Sequence, residues 1–79
     1  MYYVYILRSL KDNKLYIGYS DNINRRIDEH NNGKVESTKY RRPLALIGYI
    51  CFKERQKATN FEKYLKTGSG KAFLKKHFI

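Results

Sequence analysis

Hydrophobic positions form three stretches with the character of β-strands. Residues 2–8 are dense in aromatic and β-branched side chains and are apolar on both faces, a pattern typical of a strand in the centre of a sheet. Residues 15–19 have the same character and follow the turn signal of residues 11–14, so the two stretches predict a hairpin. Residues 44–52 predict a third strand.

The stretches between these strands and after them include helical patterns. Residues 23–31 predict a first helix, with N-cap candidates at residues 20–22 and Gly33 beyond its end. Residues 53–66 predict a second helix, and Ser69 is a candidate cap for a short third helix. Gly68 stops the second helix as Gly33 stops the first, because glycine readily adopts the backbone conformation that ends a helix.

The order of the predicted elements is ββαβαα. This order indicates an α+β fold, a three-stranded antiparallel sheet flanked by three helices. The chain length fits one domain over residues 1–79. Residues 32–43 show no apolar periodicity, so we expect a loop with a basic end.

The predicted hairpin places two tyrosines on one side of the sheet. If the connecting loop has an even number of residues, strand positions whose numbers sum to an odd value face each other. Tyr5 and Tyr16 then project from the same face. Most tyrosines in sheets only pack, so this pair becomes a candidate site only together with other residues.

Ionisable residues stand on the apolar faces of both longer helices. Arg26 and His30 share a face with Ile23 and Ile27 by the i, i+3, i+4, i+7 spacing. Glu62 stands in the same way among apolar positions of the second helix. Burying such groups is costly unless they are paired, so all three are candidates for a functional site.

Each of these three residues also has an ordinary structural explanation. Arg26 would extend its charge to solvent from the edge of the apolar stripe. His30 would interact favourably with the dipole at the C-terminus of its helix, and Glu62 would pair with Arg26. Helix periodicity alone leaves both explanations open.

Composition adds a large positive charge. The 79 residues contain 17 Lys and Arg against 7 Asp and Glu, which gives a formal charge of +10. A surplus of this size favours a polyanionic partner. With 42% hydrophobic and 15% aromatic residues, the chain has enough apolar material for a core, which argues against intrinsic disorder.

Several protein classes are disfavoured by what the sequence lacks. A single cysteine excludes an internal disulfide framework and a cysteine-cluster zinc site. No apolar run approaches the roughly 18–20 residues of a membrane span, and the first residues lack the pattern of a signal peptide. We therefore expect no membrane partner and a cytoplasmic location.

The tyrosine pair occurs at the spacing of a known nuclease family. Tyr3-Val4-Tyr5 and Tyr16-Ile17-Gly18, with eleven residues from Tyr5 to Tyr16, resemble the two motifs of the GIY-YIG nucleases. Arg26 lies ten residues after Tyr16 and His30 four further on, which is similar to the helical Arg and His of that family.

The resemblance continues along most of the chain. Glu62 matches the position of the metal-binding Glu of the family. Residues 38–43 and 68–70 are similar to the small stand-alone bacterial members related to the Slx1-like group. The matching positions extend from residue 3 to about residue 66, and the five candidate residues occur in the family's order.

The resemblance implies an endonuclease that hydrolyses DNA phosphodiester bonds with a divalent metal, Mg²⁺ or Mn²⁺. In this comparison Tyr5 is the general base, His30 takes its proton, Tyr16 orients water or phosphate, Arg26 contacts the scissile phosphate and Glu62 holds the metal. A phenol has an ordinary pKa of about 10, so Tyr5 acts as a base only if positive charge and His30 favour the phenolate.

Basic residues outside this constellation are candidate phosphate contacts. The predicted nucleic-acid-binding residues are Lys39, Tyr40, Arg41, Arg42, Lys66 and Lys71, and Lys75 and Lys76 are equally well explained as solvated helix residues. No separate recognition domain fits in 79 residues, so we expect selectivity for DNA structure rather than sequence. This expectation is compatible with a role in DNA repair or recombination.

A non-catalytic basic nucleic-acid-binding module on the same scaffold is the alternative function. Tyr3 stands where many family members carry Gly, and residues 69–79 contain no counterpart of the Asn that some members use. DNA is the expected partner under both hypotheses, and a protein partner or a homodimer stays open. The two differ in one observable, cleavage that requires a metal.

Overall fold

The strand with two apolar faces lies in the middle of the sheet. The computed structural model describes residues 1–79, and in it β1 (Tyr2–Ser9) pairs with β2 (Leu15–Ser20) on one side and β3 (Leu44–Phe52) on the other. Both pairings are antiparallel. The central position follows from the sequence, because apolar side chains on both faces are excluded from water only if both faces are covered.

Three helices cover the sheet, and the predicted α+β order ββαβαα is confirmed. They are α1 (Ile23–Asn31), α2 (Arg55–Leu65) and α3 (Gly68–His77). A 3₁₀ turn (Lys39–Arg41) lies in the segment that was expected to be a plain loop. None of the helices has the length and apolarity that crossing a bilayer requires.

Alternate residues of β1 belong to two apolar clusters on opposite faces of the sheet. The face covered by α2 and α3, called the α2 face below, holds Val4, Ile6, Ala58, Leu65 and Leu74. The opposite face, called the α1 face, holds Tyr5, Leu7 and Leu44, with Ile23 and Ile27 of α1 packed against them. The pleat of β1 therefore sends Tyr5 towards α1.

The register of the hairpin confirms that the two tyrosines share a face. Tyr5 pairs with Gly18 and Leu7 with Tyr16, so facing positions sum to an odd number. A Cβ atom at Gly18 would lie only 2.6 Å from Cζ of Tyr5. Glycine is required here because the Tyr5 ring crosses β2 directly above it.

The ends of the helices agree with the predictions except in α2 and α3. Asn22 caps α1, with its side chain accepting a hydrogen bond from the Arg25 N–H at 3.1 Å. Helix α2 covers Arg55–Leu65 rather than residues 53–66. The prediction for Ser69 is wrong, because only two residues separate α3 from α2 and the cap of α3 is Thr67, whose side chain accepts from the Gly70 N–H at 3.2 Å.

Candidate active site

Three buried polar side chains form a hydrogen-bonded chain on the α1 face. The Tyr5 hydroxyl lies 2.9 Å from Nε2 of His30, and Nδ1 of His30 lies 2.7 Å from Oγ1 of Thr38. Relative exposure is 1% for Tyr5 and 0% for His30 and Thr38. A neutral imidazole has one donor and one acceptor nitrogen, so both nitrogens are satisfied and the ring is held between its two partners.

His30 is neutral in this setting. Burial, the largest cause, and the charge of Arg26 together lower its pKa from the ordinary 6.5 to about 4, while the carboxylate of Glu29 acts in the opposite direction. His30 does lie in the last turn of α1. A charge–dipole interaction does not explain its place, because at neutral pH the ring carries no charge.

The Tyr5 phenol is protonated. Burial raises its pKa above 10.0, and the neighbouring Tyr16 and Glu62 raise it further, whereas Arg26 lowers it. Burial thus outweighs the positive charge, and the phenolate that a simple base mechanism needs is not favoured in the free protein. A protonated phenol can instead donate its hydrogen to Nε2 of His30.

Tyr16 and Arg26 are the other two candidate residues near Tyr5 and His30. The Tyr16 ring lies 5.0 Å from the His30 ring and 6.4 Å from the Tyr5 ring, centroid to centroid. Arg26 is half-buried and pairs with Glu29 at 3.1 Å. The pKa of Arg26 is raised, chiefly by its interaction with the Tyr5 hydroxyl group.

Glu62, the fifth candidate residue, belongs to a helix that covers the opposite face of the sheet. It lies on α2, its side chain is 20% exposed, and Lys66 is its ion-pair partner at 3.2 Å. The pairing of Glu62 with Arg26 that would have explained both residues structurally is not formed, because Arg26 pairs with Glu29. The negative charge of Glu62 nevertheless raises the pKa of Tyr5, so the two groups share one electrostatic environment.

Comparison with known proteins decides the family. The GIY-YIG catalytic domain family matches residues 1–76. The chain belongs to the GIY-YIG family. The resemblance that rested on residues 3–66 is thereby confirmed, and a nuclease-like function is supported.

Similar relatives include small UPF0213 proteins of bacteria. The chain is 43% identical to UPF0213 protein SH2523 of Staphylococcus haemolyticus, over 94% of this chain and 90% of the relative. It is 40% identical to UPF0213 protein CPE1444 of Clostridium perfringens, over 84% and 71% respectively. The solution NMR structure of UPF0213 protein BH0048 from Bacillus halodurans matches with a TM-score of 0.56 and 35% identity, covering 94% of this chain and 82% of that one. The narrower Slx1-like assignment stays a prediction.

GIY-YIG nucleases typically use a divalent metal, and the residues present fit an ion that keeps several of its waters rather than one held in a protein cage. No three His, Cys, Asp or Glu side chains lie close enough together to form a protein cage for a metal. One carboxylate, Glu62, is close enough for its charge to raise the pKa of Tyr5. A donor set of this kind suits an ion such as Mg²⁺, which keeps several waters and takes further oxygens from a substrate phosphate.

Several residues predicted to bind nucleic acid already have partners within this GIY-YIG domain. Arg41 pairs with Asp12 at 3.0 Å and donates to the Leu15 carbonyl at 3.3 Å. Arg42 donates to the Lys39 carbonyl at 2.8 Å. Tyr40 and Lys71 are exposed, and Lys66 is held by Glu62. Lys39 lies over the Tyr40 ring, with Nζ 5.4 Å from the centroid. Phosphate binding by these residues stays a prediction, and Lys71 is exposed without an ion-pair partner.

Thr38 is the residue of this site that sequence reasoning missed. It lies in the segment after α1, where no periodicity points inwards, and it is completely buried against His30. The family resemblance of residues 38–43 marked the segment without giving Thr38 a role. Its position depends on how the segment folds back over α1, which local patterns do not encode.

Proposed function

We propose that this chain is a metal-dependent endonuclease that hydrolyses DNA phosphodiester bonds and selects DNA by structure rather than by sequence. The observation that carries the proposal is the buried chain of hydrogen bonds from Tyr5 through His30 to Thr38, placed beside Arg26. Buried polar groups at fixed separations are costly to maintain, and proton transfer needs such an arrangement.

The hydrogen-bonded chain supplies a route for the proton of the attacking water. Tyr5 accepts this proton on its oxygen while its own proton passes to Nε2 of His30. The water oxygen bonds to phosphorus and the bond from phosphorus to the leaving oxygen breaks, with solvent supplying the proton for that oxygen. With Nδ1 protonated and donating to Thr38, Nε2 presents its lone pair to the phenol.

Substrate binding strengthens His30 as a proton acceptor. Its lowered pKa has the positive charge of Arg26 as its second cause. A phosphate that binds Arg26 neutralises that charge and so raises the pKa of His30. Guanidinium geometry suits a phosphate, which is why Arg26 is the residue assigned to the scissile group.

Glu62 would hold the divalent metal, Mg²⁺ or Mn²⁺, next to the same phosphate. When bound, the ion supplies positive charge to the phosphate oxygens and lowers the pKa of a bound water. Lys66 must then leave Glu62, and its side chain is 56% exposed, so this exchange requires no repacking of the core.

A nicking assay on supercoiled and branched DNA, with Mg²⁺ and with chelator, tests the proposal. Tyr5→Phe and Glu62→Gln should each lower the cleavage rate by about 10²–10⁴-fold, as is typical when an acid–base or metal-binding group is removed. Tyr49→Phe is the matched control, because Tyr49 faces Tyr5 across the strand pair and is 50% exposed. Cleavage that survives chelator or either of the first two variants would refute the assignment.

A non-catalytic DNA-binding module is the second candidate function. The ion pair between Glu62 and Lys66 favours it, because the carboxylate assigned to the metal is already neutralised in the free protein. A binder holds DNA with or without metal and leaves it intact. The same assay therefore separates the two functions.

A further inference from the structure

The ion pair between Lys66 and Glu62 lies within the candidate active site. Nζ of Lys66 is 3.2 Å from Oε2 of Glu62, the carboxylate assigned to the divalent metal. Of the four ion pairs in the chain, only this one includes Glu62. The positive group that balances this carboxylate in the free protein is therefore an ammonium group of the chain itself.

The fold holds the two partners of this ion pair with different firmness. The Glu62 side chain is 20% exposed, whereas the Lys66 side chain is 56% exposed. Lys66 is the C-cap of α2, and its backbone N–H donates to the Lys63 carbonyl at 3.2 Å. The backbone of Lys66 is thus fixed, while its ammonium group can rotate into solvent because only Glu62 binds it.

The ion pair is weak enough to exchange. A pair at i, i+4 on a helix surface shifts an equilibrium by only about 2-fold, because water screens the exposed partner. A divalent ion carries twice the charge of an ammonium group, so it interacts more strongly with the same oxygens. Since an ion and an ammonium group on one carboxylate repel each other, binding of the ion at Glu62 requires that Lys66 leave.

The released ammonium group lies among other unpaired lysines. Lys66 lines a cleft at the edge of β2 together with Lys71 and Lys75, and no acidic residue lines that cleft. Neither Lys71 nor Lys75 has an ion-pair partner in the chain. A third cation beside them finds no new carboxylate, so its partner is an anion from outside the chain. In a DNA substrate that anion is a backbone phosphate.

We propose that Lys66 couples metal binding to DNA binding by exchanging partners. In the free protein it neutralises Glu62 and so lowers the affinity of this carboxylate for a divalent ion. In the complex with DNA it contacts a substrate phosphate, and Glu62 is free to hold the ion. Such coupling is reciprocal, so DNA raises the affinity for the metal by the same factor as the metal raises the affinity for DNA. The inference rests on the proposed function, in which Glu62 is the metal ligand.

Binding of Mn²⁺ to the protein without DNA tests the first half of the exchange. The concentration of free Mn²⁺ is read from its electron paramagnetic resonance signal. Lys66→Gln removes the competing ammonium group and should raise the Mn²⁺ affinity by about 2- to 5-fold. Lys63→Gln removes the same charge from an exposed residue of α2 that has no ion-pair partner, and should leave the affinity nearly unchanged. Equal affinities for the two variants would overturn the proposal.

DNA affinity with and without the ion tests the second half. Fluorescence anisotropy of a labelled branched DNA gives the factor by which Mn²⁺ raises the affinity relative to chelator, and Tyr5→Phe in every protein keeps the DNA intact. We expect Lys66→Gln to lower this factor by about 3-fold, Lys66→Arg to restore most of it and Lys63→Gln to leave it unchanged. A factor that is the same in Lys66→Gln as in the parent would overturn the proposal. So would an equal loss of DNA affinity in Mn²⁺ and in chelator, because Lys66 would then be a constant phosphate contact.

Failure of the exchange and failure of the nuclease give different results. If Glu62→Gln abolishes Mn²⁺ binding and cleavage while Lys66→Gln matches Lys63→Gln in both binding measurements, the exchange is refuted and the nuclease stands. If no protein cuts DNA but Lys66→Gln shifts both measurements as expected, the exchange stands and the nuclease proposal fails. Absence of Mn²⁺ binding in every variant, with and without DNA, would refute both.

Discussion

The side chains on the two faces of β1 are buried in different ways. On the α2 face, Val4 and Ile6 are fully excluded from solvent among other apolar side chains. On the α1 face, Tyr5 is buried to almost the same degree, but its oxygen needs a partner and finds one in His30. Apolar burial stabilises the fold through the area removed from water, whereas polar burial is tolerated only while each hydrogen bond is kept.

This contrast between apolar and polar burial assigns different tasks to the two faces: the α2 face mainly stabilises the fold, and the α1 face holds the candidate site residues Tyr5 and His30. The α2 face, covered by two helices, tolerates exchange among side chains of similar volume because its five buried residues are all apolar. The α1 face depends on particular atoms, so a change of one hydroxyl group there alters the site. The two faces meet at the edge of β2, and the two candidate residues Tyr16 and Glu62, one from each face, are both partly exposed.

Two glycines allow the sharpest test of this contrast, because each lies under an aromatic ring on a different face. A Cβ at Gly18 would lie 2.6 Å from Cζ of Tyr5, and one at Gly48 would lie 2.7 Å from Cε1 of Phe78. Phe78 packs against the α2-face cluster. Gly18→Ala and Gly48→Ala should each cost about 1–3 kcal/mol of unfolding free energy through overpacking, measured by urea denaturation.

Only the first of these variants should damage activity. Displacing Tyr5 by about 1 Å is expected to lower the nicking rate by about 10²-fold, whereas Gly48→Ala should cut at the parent rate when folded. Gly68→Ala is the control for both measurements, since a Cβ there meets nothing within 4 Å. Equal nicking rates for Gly18→Ala and Gly48→Ala would show that the α1 face has no special role.

Sequence predicts those parts of the architecture that depend on residues close together in the chain. Strand alternation and hairpin parity place Tyr5 and Tyr16 on one face, and helix periodicity turns Arg26 and His30 towards it. Contacts between distant segments are not encoded in such spacings. Arg41 pairs with Asp12 across 29 positions, which no local pattern indicates.

The cap of α3 and the role of Thr38 were missed for related reasons. Ser69 and Thr67 are both good capping residues, and the choice depends on the close packing of α3 against the end of α2, where Gly70 lies against the Leu65 backbone. Thr38 becomes significant only when the segment after α1 returns over His30. Sequence patterns could propose the candidate site residues, but they could not indicate Thr38, the hydrogen-bond partner of His30.

Thr38 offers a smaller perturbation of the α1 face. Thr38→Val keeps the shape but removes the oxygen next to Nδ1 of His30, so the orientation of the ring and its tautomer are no longer fixed. We expect the nicking rate to fall by about 10-fold or more, as for other residues that orient a catalytic or metal-binding histidine. Thr38→Ser retains the hydroxyl group and should recover most of the rate.

A purely structural role for Thr38 would leave the histidine itself unchanged. The ¹⁵N chemical shifts of the His30 ring report its tautomer, and they should change in Thr38→Val but not in Thr38→Ser. Shifts identical in all three proteins, together with a slower Thr38→Val enzyme, would assign the effect to packing instead.

The smallest expected effect is the pH dependence that the neutral His30 gives to stability. Its pKa is about 4 in the folded protein against an ordinary 6.5, so between these values the unfolded chain binds a proton that the folded chain does not. The free energy of unfolding should therefore decrease as pH falls from 6.5 to 4, by at most about 1.4 kcal/mol per pH unit from this group. His30→Gln should lack this contribution and His77→Gln, at an exposed residue, should retain it.

NMR titration of the same histidine connects this measurement to catalysis. In the free protein the His30 signals should titrate with a midpoint near 4. With single-stranded DNA bound in chelator, the phosphate at Arg26 removes part of the positive charge beside the ring, so the midpoint should rise. A midpoint that stays the same with DNA bound would mean that Arg26 does not contact the phosphate, because no other cause of the lowered pKa is a positive charge.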